Sequence, residues 1–322
     1  MCGGFRNKDH SNEFHRRPRS IQRCNSWKAQ EYRIAVLYLF PIILYDVLSI
    51  DHYGHVLLFV CSIRLLHCDY VIDIANILLK AYEKAIYNYY GKKLSTMILH
   101  VSKEYLLHGS LSSTSCFPLE GRIQFYQRDG HGISYLIKQI IDHYETELTI
   151  KSIQAKSNNK YDEDNAEEMT DRLSDQFRQF EEHVCRKCKE KIVYYQRMKL
   201  QRVQYHARCY ARRGPVNNYT IAYNVNNRNI CEFGYIDFFI KCKCGIYTSI
   251  TKLNKFKSLS CYVKQSRFLP LLQQVLDYFF YIVQESSETD TIKVENIWRK
   301  SVICSFDGNF LISPVSATYE HD

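Results

Sequence analysis

The sequence lacks any hydrophobic run long enough to cross a bilayer. Its most apolar run, Ile34–Tyr45, is far shorter than the roughly 20 residues that a membrane-spanning helix needs. The N-terminal stretch MCGGFRNKDHSNEFHRRPRS has no apolar segment of the kind that a secretory signal requires, and Cys2 stands where N-myristoylation needs glycine. We therefore expect an intracellular protein with no membrane partner.

Motifs of several enzyme classes are also missing. The sequence has no glycine-rich loop that would hold a nucleotide phosphate, and no Ser, Cys or His occupies a nucleophile elbow or the spacing of a metalloprotease. His100, His108, His131 and His143 are isolated, and isolated histidines are more often packed or surface residues than ligands. The sequence thus offers no motif for nucleotide-dependent or covalent catalysis.

The composition is that of a folded, basic protein. The chain has 322 residues, of which 46% are hydrophobic, and it contains 26 Tyr and 17 Phe. Its 13 cysteines are scattered and odd in number in a long chain, which indicates a reducing compartment rather than a disulfide framework. The net charge of +9 favours a polyanionic partner such as DNA.

Changes in composition divide the chain into four segments and predict an α+β protein. The segments are a basic flexible arm (1–24), a mostly helical region (25–150), a charged helical linker (151–213) and a small β-rich α+β domain (214–322).

Within these segments, hydrophobic periodicity predicts the main elements. The helices expected are Trp27–Leu48 with a kink at Pro41, about His52–His67, about Val71–Tyr90, and a charged helix from about Thr170 to Arg212. After Gly214, alternating β-branched and aromatic residues predict strands, with turns at Gly245 and at Asp307-Gly308 and a helix within Phe268–Val283.

Basic residues form the largest group of candidate binding residues. They cluster in the N-terminal arm and in the predicted charged helix, where Tyr194, Tyr195, Tyr205 and Tyr210 lie among them. Cations suit phosphate contacts and aromatic faces suit base stacking; the alternative is a solvated basic helix that neutralises the acidic segment before it. The candidate nucleic-acid-binding residues are Arg16, Arg17, Arg19, Arg186, Lys187, Lys189, Lys191, Arg197, Lys199, Arg202, Arg212 and Arg213.

One cysteine and histidine pattern has the spacing of a zinc site. Cys185 and Cys188 form one close pair, and His206 and Cys209 form a second. Two such pairs can close a tetrahedral Zn²⁺ site, so Zn²⁺ is a candidate cofactor. A straight helix between the pairs would instead hold them about 25 Å apart at 1.5 Å per residue.

Glu120 is the one candidate catalytic residue. It follows Phe117-Pro118-Leu119, where a loop of small polar residues gives way to an apolar-periodic segment. Local sequence accounts for it as a helix start, because a helix N-terminus favours negative charge and proline suits the first turn.

Three stretches carry a resemblance to a known family. They are Glu13–Leu66, which contains HRRPRS, WKAQEYR and LYLFPIILY, then GSLSSTSCFPLEGRIQFYQ, and finally IWRKSVICSFDGNFLISPV. In this order they resemble stretches of the C-terminal region of CACTA-type (En/Spm-like) DNA transposases. The resemblance covers nearly the whole chain, is strongest over residues 13–127, and is weak from 150 to 215.

The resemblance implies an RNase H-like catalytic region in which three carboxylates hold two divalent metal ions such as Mg²⁺. It makes Glu120 the candidate for the last carboxylate, and the first two would lie upstream of Met1. We therefore expect a non-catalytic, transposase-derived protein that contacts DNA in the nucleus. The alternatives are a subunit of an active enzyme, completed by carboxylates upstream or on a partner copy, and a zinc-stabilised binding or scaffold module.

Overall fold

A computed structural model describes residues 21–68, 72–90, 107, 111, 145–146, 161–168, 192–200, 203–210, 219–225 and 231–315. Its α-helices are Ala29–Ile34 (α1), Phe40–Ile43 (α2), Ile50–Leu66 (α3), Ile72–Tyr90 (α4) and Leu269–Phe279 (α5). A π-helical turn, Ala35–Leu39, joins α1 to α2, and 3-10 turns lie at Ile21–Ser26, Leu259–Val263 and Val294–Asn296.

The β-strands of the described residues lie in one antiparallel sheet. They are Tyr161–Glu168 (β1), Val193–Leu200 (β2), Val203–His206 (β3), Thr220–Asn224 (β4), Cys231–Cys242 (β5), Gly245–Ser258 (β6), Tyr281–Lys293 (β7), Ile297–Phe306 (β8) and Asn309–Pro314 (β9).

Six of these strands close into a barrel. Their order is β5, β4, β8, β9, β7 and β6, and pairing of β6 with β5 completes the ring. Every strand contributes a buried side chain to one apolar cluster, as expected for the barrel interior, where alternate residues point inward. The members of this cluster are Ala222, Phe233, Tyr235, Leu253, Val283, Ile303 and Ile312. β2 continues the sheet from β5 and carries β1 and β3.

Helices cover part of the barrel's outer face. Residues of α3, α4 and α5 form one core with Ile282 of β7, Phe306 of β8 and Leu311 of β9. The π-helical turn packs on Val302 and Cys304 of β8. The described parts of segments 25–150 and 214–322 therefore share a core, while the segment boundaries themselves stay predictions.

The structure confirms the α+β class and several of the expected elements. α3 and α4 lie where periodicity predicts them, and α5 occupies the first part of Phe268–Val283 before the chain enters β7. The kink expected at Pro41 is a π-helical turn followed by a new helix, because proline has no N–H to continue the α-helical ladder. The assignment of the helices to an RNase H-like region stays a prediction.

Both glycine turns are also confirmed. Gly245 has a φ of +136° at the start of β6, and Asp307 and Gly308 have φ values of +46° and +72° between β8 and β9. Positive φ at both central residues is what a tight two-residue hairpin needs, and Asp-Gly supplies it at little steric cost.

The prediction of a charged helix in the linker is wrong where the structure describes it. Val193–Leu200 and Val203–His206 are strands, and the acidic stretch Tyr161–Glu168 is a strand paired with the first of them. Valine and tyrosine favour strands, and Met198, Leu200, Val203 and Tyr205 are buried by packing against neighbouring strands. Because this stretch contains so many charged residues, the alternation of buried and partly exposed side chains that is typical of a strand was not recognised in the sequence.

The C-terminal end of α3 holds a buried histidine that should make the fold sensitive to acid. Burial, together with the nearby positive charges of Arg33 and Arg64, lowers the pKa of His67 to about 3 from its ordinary value of 6.5. The neutral ring is thus favoured in the folded chain, so its contribution to stability is complete above pH 6.5 and is lost as the pH falls toward 3. The slope is at most about 1.4 kcal/mol per pH unit.

We expect urea titrations between pH 7.5 and pH 4 to show this loss, and we expect His67→Gln to flatten it because the substituted side chain does not titrate. His52→Gln is the matched control, since His52 is not fully buried and bonds Ser49 Oγ. An unchanged pH profile in His67→Gln would contradict the assignment of the acid sensitivity to His67.

None of the α-helices that the structure describes has both the length and the apolar composition needed to span a membrane.

Candidate nucleic-acid interface

A β-bulge near the end of β6 places an aromatic ring on the surface between two lysines. Lys255 pairs with Val283 of β7 and Lys257 pairs with Ile282, so two steps along β6 match one step along β7. Phe256 is the extra residue, and its side chain is 46% exposed. Bulges of this kind disrupt the ladder locally and can re-aim a side chain.

The two lysines lie over aromatic rings. Lys257 Nζ is 4.7 Å from the centroid of the Phe256 ring, and Lys255 Nζ is 4.7 Å from that of Tyr281. Lys255 also donates a hydrogen bond to the Cys231 carbonyl oxygen, which fixes its position at this end of the barrel. A cation over a ring face is weakly attracted to the ring, but the ring has no net charge and does not neutralise the cation. The lysine charge can therefore still attract an anionic ligand.

A second exposed ring lies close by. Tyr278, in the last turn of α5, is 56% exposed, and its carbonyl oxygen accepts a hydrogen bond from the Tyr281 hydroxyl at 3.1 Å. The carboxylate of the neighbouring Asp277 accepts a hydrogen bond from Ser258 Oγ. We refer to Lys255, Phe256, Lys257, Tyr278 and Tyr281 as the aromatic–lysine patch.

Two titratable groups beside Lys255, Tyr281 and Cys231, remain neutral at physiological pH. Burial raises the pKa of Tyr281 to about 12, with smaller contributions from Cys231, Tyr278 and Asp277. Burial also raises the pKa of the Cys231 thiol to about 11, although the Lys255 charge acts in the opposite direction. Neither group therefore supplies a negative charge that would cancel the lysine.

Sequence reasoning missed this patch. No element and no binding role was predicted for the stretch Lys255-Phe256-Lys257, although an aromatic residue between two lysines was the available signal. Its exposure depends on the bulge, which is a property of how β6 pairs with β7.

Two of the predicted nucleic-acid-binding residues, Arg197 and Lys199, lie on β2. The others, namely Arg16, Arg17, Arg19, Arg186, Lys187, Lys189, Lys191, Arg202, Arg212 and Arg213, lie outside the described residues.

The tyrosines expected to stack on bases do not support that interpretation. Tyr205 is buried and Tyr195 packs against the same apolar cluster, while Tyr194 contacts Phe238 with ring centroids 5.9 Å apart. Tyr210 lies against the His206 ring at 4.6 Å. For Tyr205 the prediction is wrong, because strand alternation turns that ring into the protein.

The hairpin of β2 and β3 pairs Arg197 with His206, and Lys300 of β8 lies near the hairpin. Arg197 is the cross-strand partner of His206, and Lys300 of β8 has its Nζ 5.5 Å from the Tyr205 ring. Burial, together with the nearby positive charges of Lys300 and Arg197, lowers the pKa of His206 to about 4 from its ordinary value of 6.5. We refer to Arg197, His206 and Lys300 as the basic cluster.

The zinc site is only partly described. Cys185 and Cys188 lie outside the described residues, His206 belongs to the basic cluster, and the exposed Cys209 donates a hydrogen bond to the Asp237 carbonyl oxygen. Among the described residues, no group of three His, Cys, Asp or Glu is placed to hold a metal ion. The expectation of a straight helix between the two pairs is wrong, because the β2–β3 hairpin reverses the chain.

Glu120 lies outside the described residues, so its inherited catalytic role stays a prediction.

A second group of charged residues lies around Glu285 of β7 and Asp237 of β5. Arg208 Nη2 lies 3.9 Å from Glu285 Oε1, and its guanidinium is 4.9 Å from the Tyr235 ring. Asp237 accepts hydrogen bonds from Thr251 Oγ1 at 2.9 and 3.0 Å; burial raises its pKa, and Thr251 and Arg208 oppose that shift. Because these charges are paired with one another, we interpret the group as structural.

No protein-family model, no curated protein and no solved structure matches the chain.

Proposed function

We propose that this protein binds single-stranded nucleic acid through the aromatic–lysine patch. The observation that carries the proposal is Phe256, an exposed ring that a β-bulge presents between Lys255 and Lys257. A base has two flat faces that can stack on such a ring, and each stacked base contributes about 1–3 kcal/mol to binding. The lysines would contact the phosphates that flank the stacked base.

A single strand fits this surface better than a duplex. Stacking on Phe256 or Tyr278 needs a base whose face is free, and in a duplex each face is covered by the next base pair. The two exposed rings could hold successive bases, while the net charge of +9 attracts the polyanion over longer range. Closed antiparallel barrels are a common scaffold for such surfaces, which supports the proposal by analogy only.

The resemblance to CACTA-type transposases supports the same class of ligand. We propose that the chain is a transposase-related protein whose nucleic-acid binding does not depend on catalysis by the chain itself. Metal-dependent strand cleavage by the purified protein would contradict the non-catalytic part of this proposal. A nuclear location and assembly with further copies or with a transposase belong to the same proposal.

Removing the exposed ring should weaken binding without affecting the fold. We expect Phe256→Ala to bind a fluorescent single-stranded oligothymidine about 10- to 100-fold more weakly, the equivalent of losing one stacked base. Fluorescence anisotropy at fixed salt measures the change. Phe256→Leu keeps an apolar side chain but lacks the aromatic face, so it should also bind weakly.

The salt dependence of binding distinguishes the contribution of the lysines, which contact phosphates, from that of the Phe256 ring, which stacks on a base. Lys257→Gln should reduce the slope of log affinity against log salt by about 0.7, the value for one phosphate contact on a single strand. Lys80→Gln, which removes an exposed cation of α4, is the matched control and should leave affinity and slope unchanged. Equal affinity for natural chain, Phe256→Ala and Phe256→Leu would exclude the patch as the binding surface.

A further inference from the structure

We propose that Trp298 of β8 is a second stacking site for a single strand that is bound at the aromatic–lysine patch. It holds a base several nucleotides away from the base on Phe256, so the bound strand follows the outer face of the barrel from one ring to the other. The second site rests on the proposed function and extends it, because it sets the length of strand that the protein binds.

A β-bulge between β4 and β8 presents Trp298, as the bulge in β6 presents the ring of the patch. Tyr223 of β4 pairs with Ile297. The preceding residue of β4, Ala222, pairs with Arg299, so Trp298 has no partner position on β4. The Trp298 side chain is 39% exposed, and its two neighbours along β8 are more deeply buried. The bulge therefore directs one aromatic ring out of the sheet.

The two bulge residues differ from all other strand residues whose exposure the structure describes. In that part of the chain, Phe256 and Trp298 are the only large hydrophobic side chains on strands that are exposed. Both are aromatic, and both are the extra residue of a bulge. Scattered exposed hydrophobic side chains are ordinary. Two that share a ring, an exposed surface and a bulge indicate one type of ligand.

The ring of Trp298 is suited to stacking on a base. The Arg299 guanidinium carbon lies 5.1 Å from the centroid of this ring, and Arg299 Nη1 donates a hydrogen bond to the Val315 carbonyl oxygen at 3.2 Å. These contacts hold the ring at a defined place on the barrel. Stacking needs a ring face and no charge, and indole has a large, rigid face.

The order of the strands sets the separation of the two rings. β6 and β8 are three strands apart in either direction around the barrel, through β5 and β4 or through β7 and β9. Neighbouring strands lie about 4.8 Å apart, so a ligand on the outer face travels at least about 14 Å between the rings. Stacked bases are about 3.4 Å apart along a strand, so a strand that reaches both rings spans roughly five nucleotides or more.

Oligothymidines of two lengths test the second site. A strand of about four nucleotides is too short to reach both rings, whereas one of about 16 nucleotides can do so. We expect Trp298→Leu to bind the longer strand about 10- to 100-fold more weakly and to bind the shorter strand as the natural chain does. Trp298→Phe keeps a ring and should retain most of the affinity. Leu271→Ala is the matched control, because Leu271 is 40% exposed but lies on α5 and is not aromatic.

Tryptophan fluorescence reports contact between Trp298 and a base directly. The chain has two tryptophans, so Trp27→Phe leaves Trp298 as the only one. A base that stacks on indole quenches its emission. In this variant we expect the longer strand to quench the emission, and the shorter strand to have little effect when the patch is equally saturated. Free thymidine monophosphate at the same nucleotide concentration controls for light absorbed by the bases.

The possible results distinguish failure of the second site from failure of the patch. Suppose that the natural chain binds both strands and that Phe256→Ala weakens both. Equal binding of the longer strand by Trp298→Leu and the natural chain, without quenching of Trp298, would then overturn the second site alone. An equal loss of affinity in Leu271→Ala would also overturn it, because the loss would not depend on the ring. If the natural chain bound neither strand, both proposals would be wrong.

Discussion

Arg64→Met is expected to lower the free energy of unfolding by about 3 kcal/mol. Arg64 is fully buried, and its guanidinium donates to the Leu37 carbonyl at 3.1 Å, to Ser313 Oγ at 2.7 Å and to the Pro314 carbonyl at 2.8 Å. Methionine fills much of the volume but cannot donate, so three buried acceptors lose a donor at about 1–3 kcal/mol each. Relief of the buried charge offsets part of this loss.

The surroundings of Arg64 explain why we expect a net loss. The guanidinium carbon lies 4.8, 4.5 and 4.9 Å from the ring centroids of Tyr38, Phe279 and Phe280, and such contacts are strong when water is excluded. Pro41 has no N–H for the Leu37 carbonyl, and Arg64 bonds that oxygen instead. One side chain of α3 thus connects the kinked N-terminal helices to the last barrel strand.

Urea unfolding followed by circular dichroism measures the effect. Arg267→Met is the matched control, because Arg267 also lies over two rings, at 4.8 and 5.2 Å, but is exposed. We expect it to change stability by less than about 1 kcal/mol. Equal effects of the two substitutions would show that burial and the three hydrogen bonds of Arg64 contribute little.

Gly54→Ala is expected to destabilise the protein by about 2 kcal/mol, although alanine is the better helix former. Gly54 lies inside α3, where the exchange would favour alanine by about 1 kcal/mol if the site were open. A Cβ atom at this position would lie 2.2 Å from Ser266 Oγ and 3.3 Å from Phe268 Cδ2. Overpacking of this kind typically costs about 1–3 kcal/mol or more.

The Ser266 side chain cannot simply move aside, because it is buried and its oxygen accepts a hydrogen bond from the Phe268 backbone N–H at 3.3 Å. A double-mutant cycle isolates the clash: in a Ser266→Gly background, Gly54→Ala should become neutral or stabilising, which gives a coupling energy of about 2 kcal/mol. Stabilisation by Gly54→Ala alone in urea unfolding would show that α3 and the segment after β6 are less closely packed than the structure indicates.

The elements that sequence predicted are those fixed by local chemistry. α3 and α4 follow from apolar residues at helical spacing, and the Asp307-Gly308 turn follows from the need for positive φ. Closure of the barrel could not be predicted, because the pairing of β4 with β8 joins residues far apart in the chain, such as Ile221 and Lys300. β2 was misread since its lysine, arginine and tyrosine side chains suit either element.

The candidate sites show the same limit. Arg197 was identified because it lies in a basic stretch, but Lys300 is distant in sequence and reaches the cluster only through the position of β8 in the sheet. The sequence shows an aromatic residue at position 256 but does not show that its side chain is exposed, because the exposure depends on the β-bulge. The sequence identifies which side chains have the chemistry of a binding site. Which of them lie close together is known only from the structure.

The position of β1 has a consequence for solubility. Within the described residues, each barrel strand has a neighbour on both sides, whereas β1 is the terminal strand of the sheet and pairs only with β2. An open strand edge can recruit another copy of the chain, and charged residues on the edge strand are a common defence. The sequence of β1, YDEDNAEE, carries five carboxylates, so the β1 edges of two copies repel each other and the sheet is protected from growing at this strand.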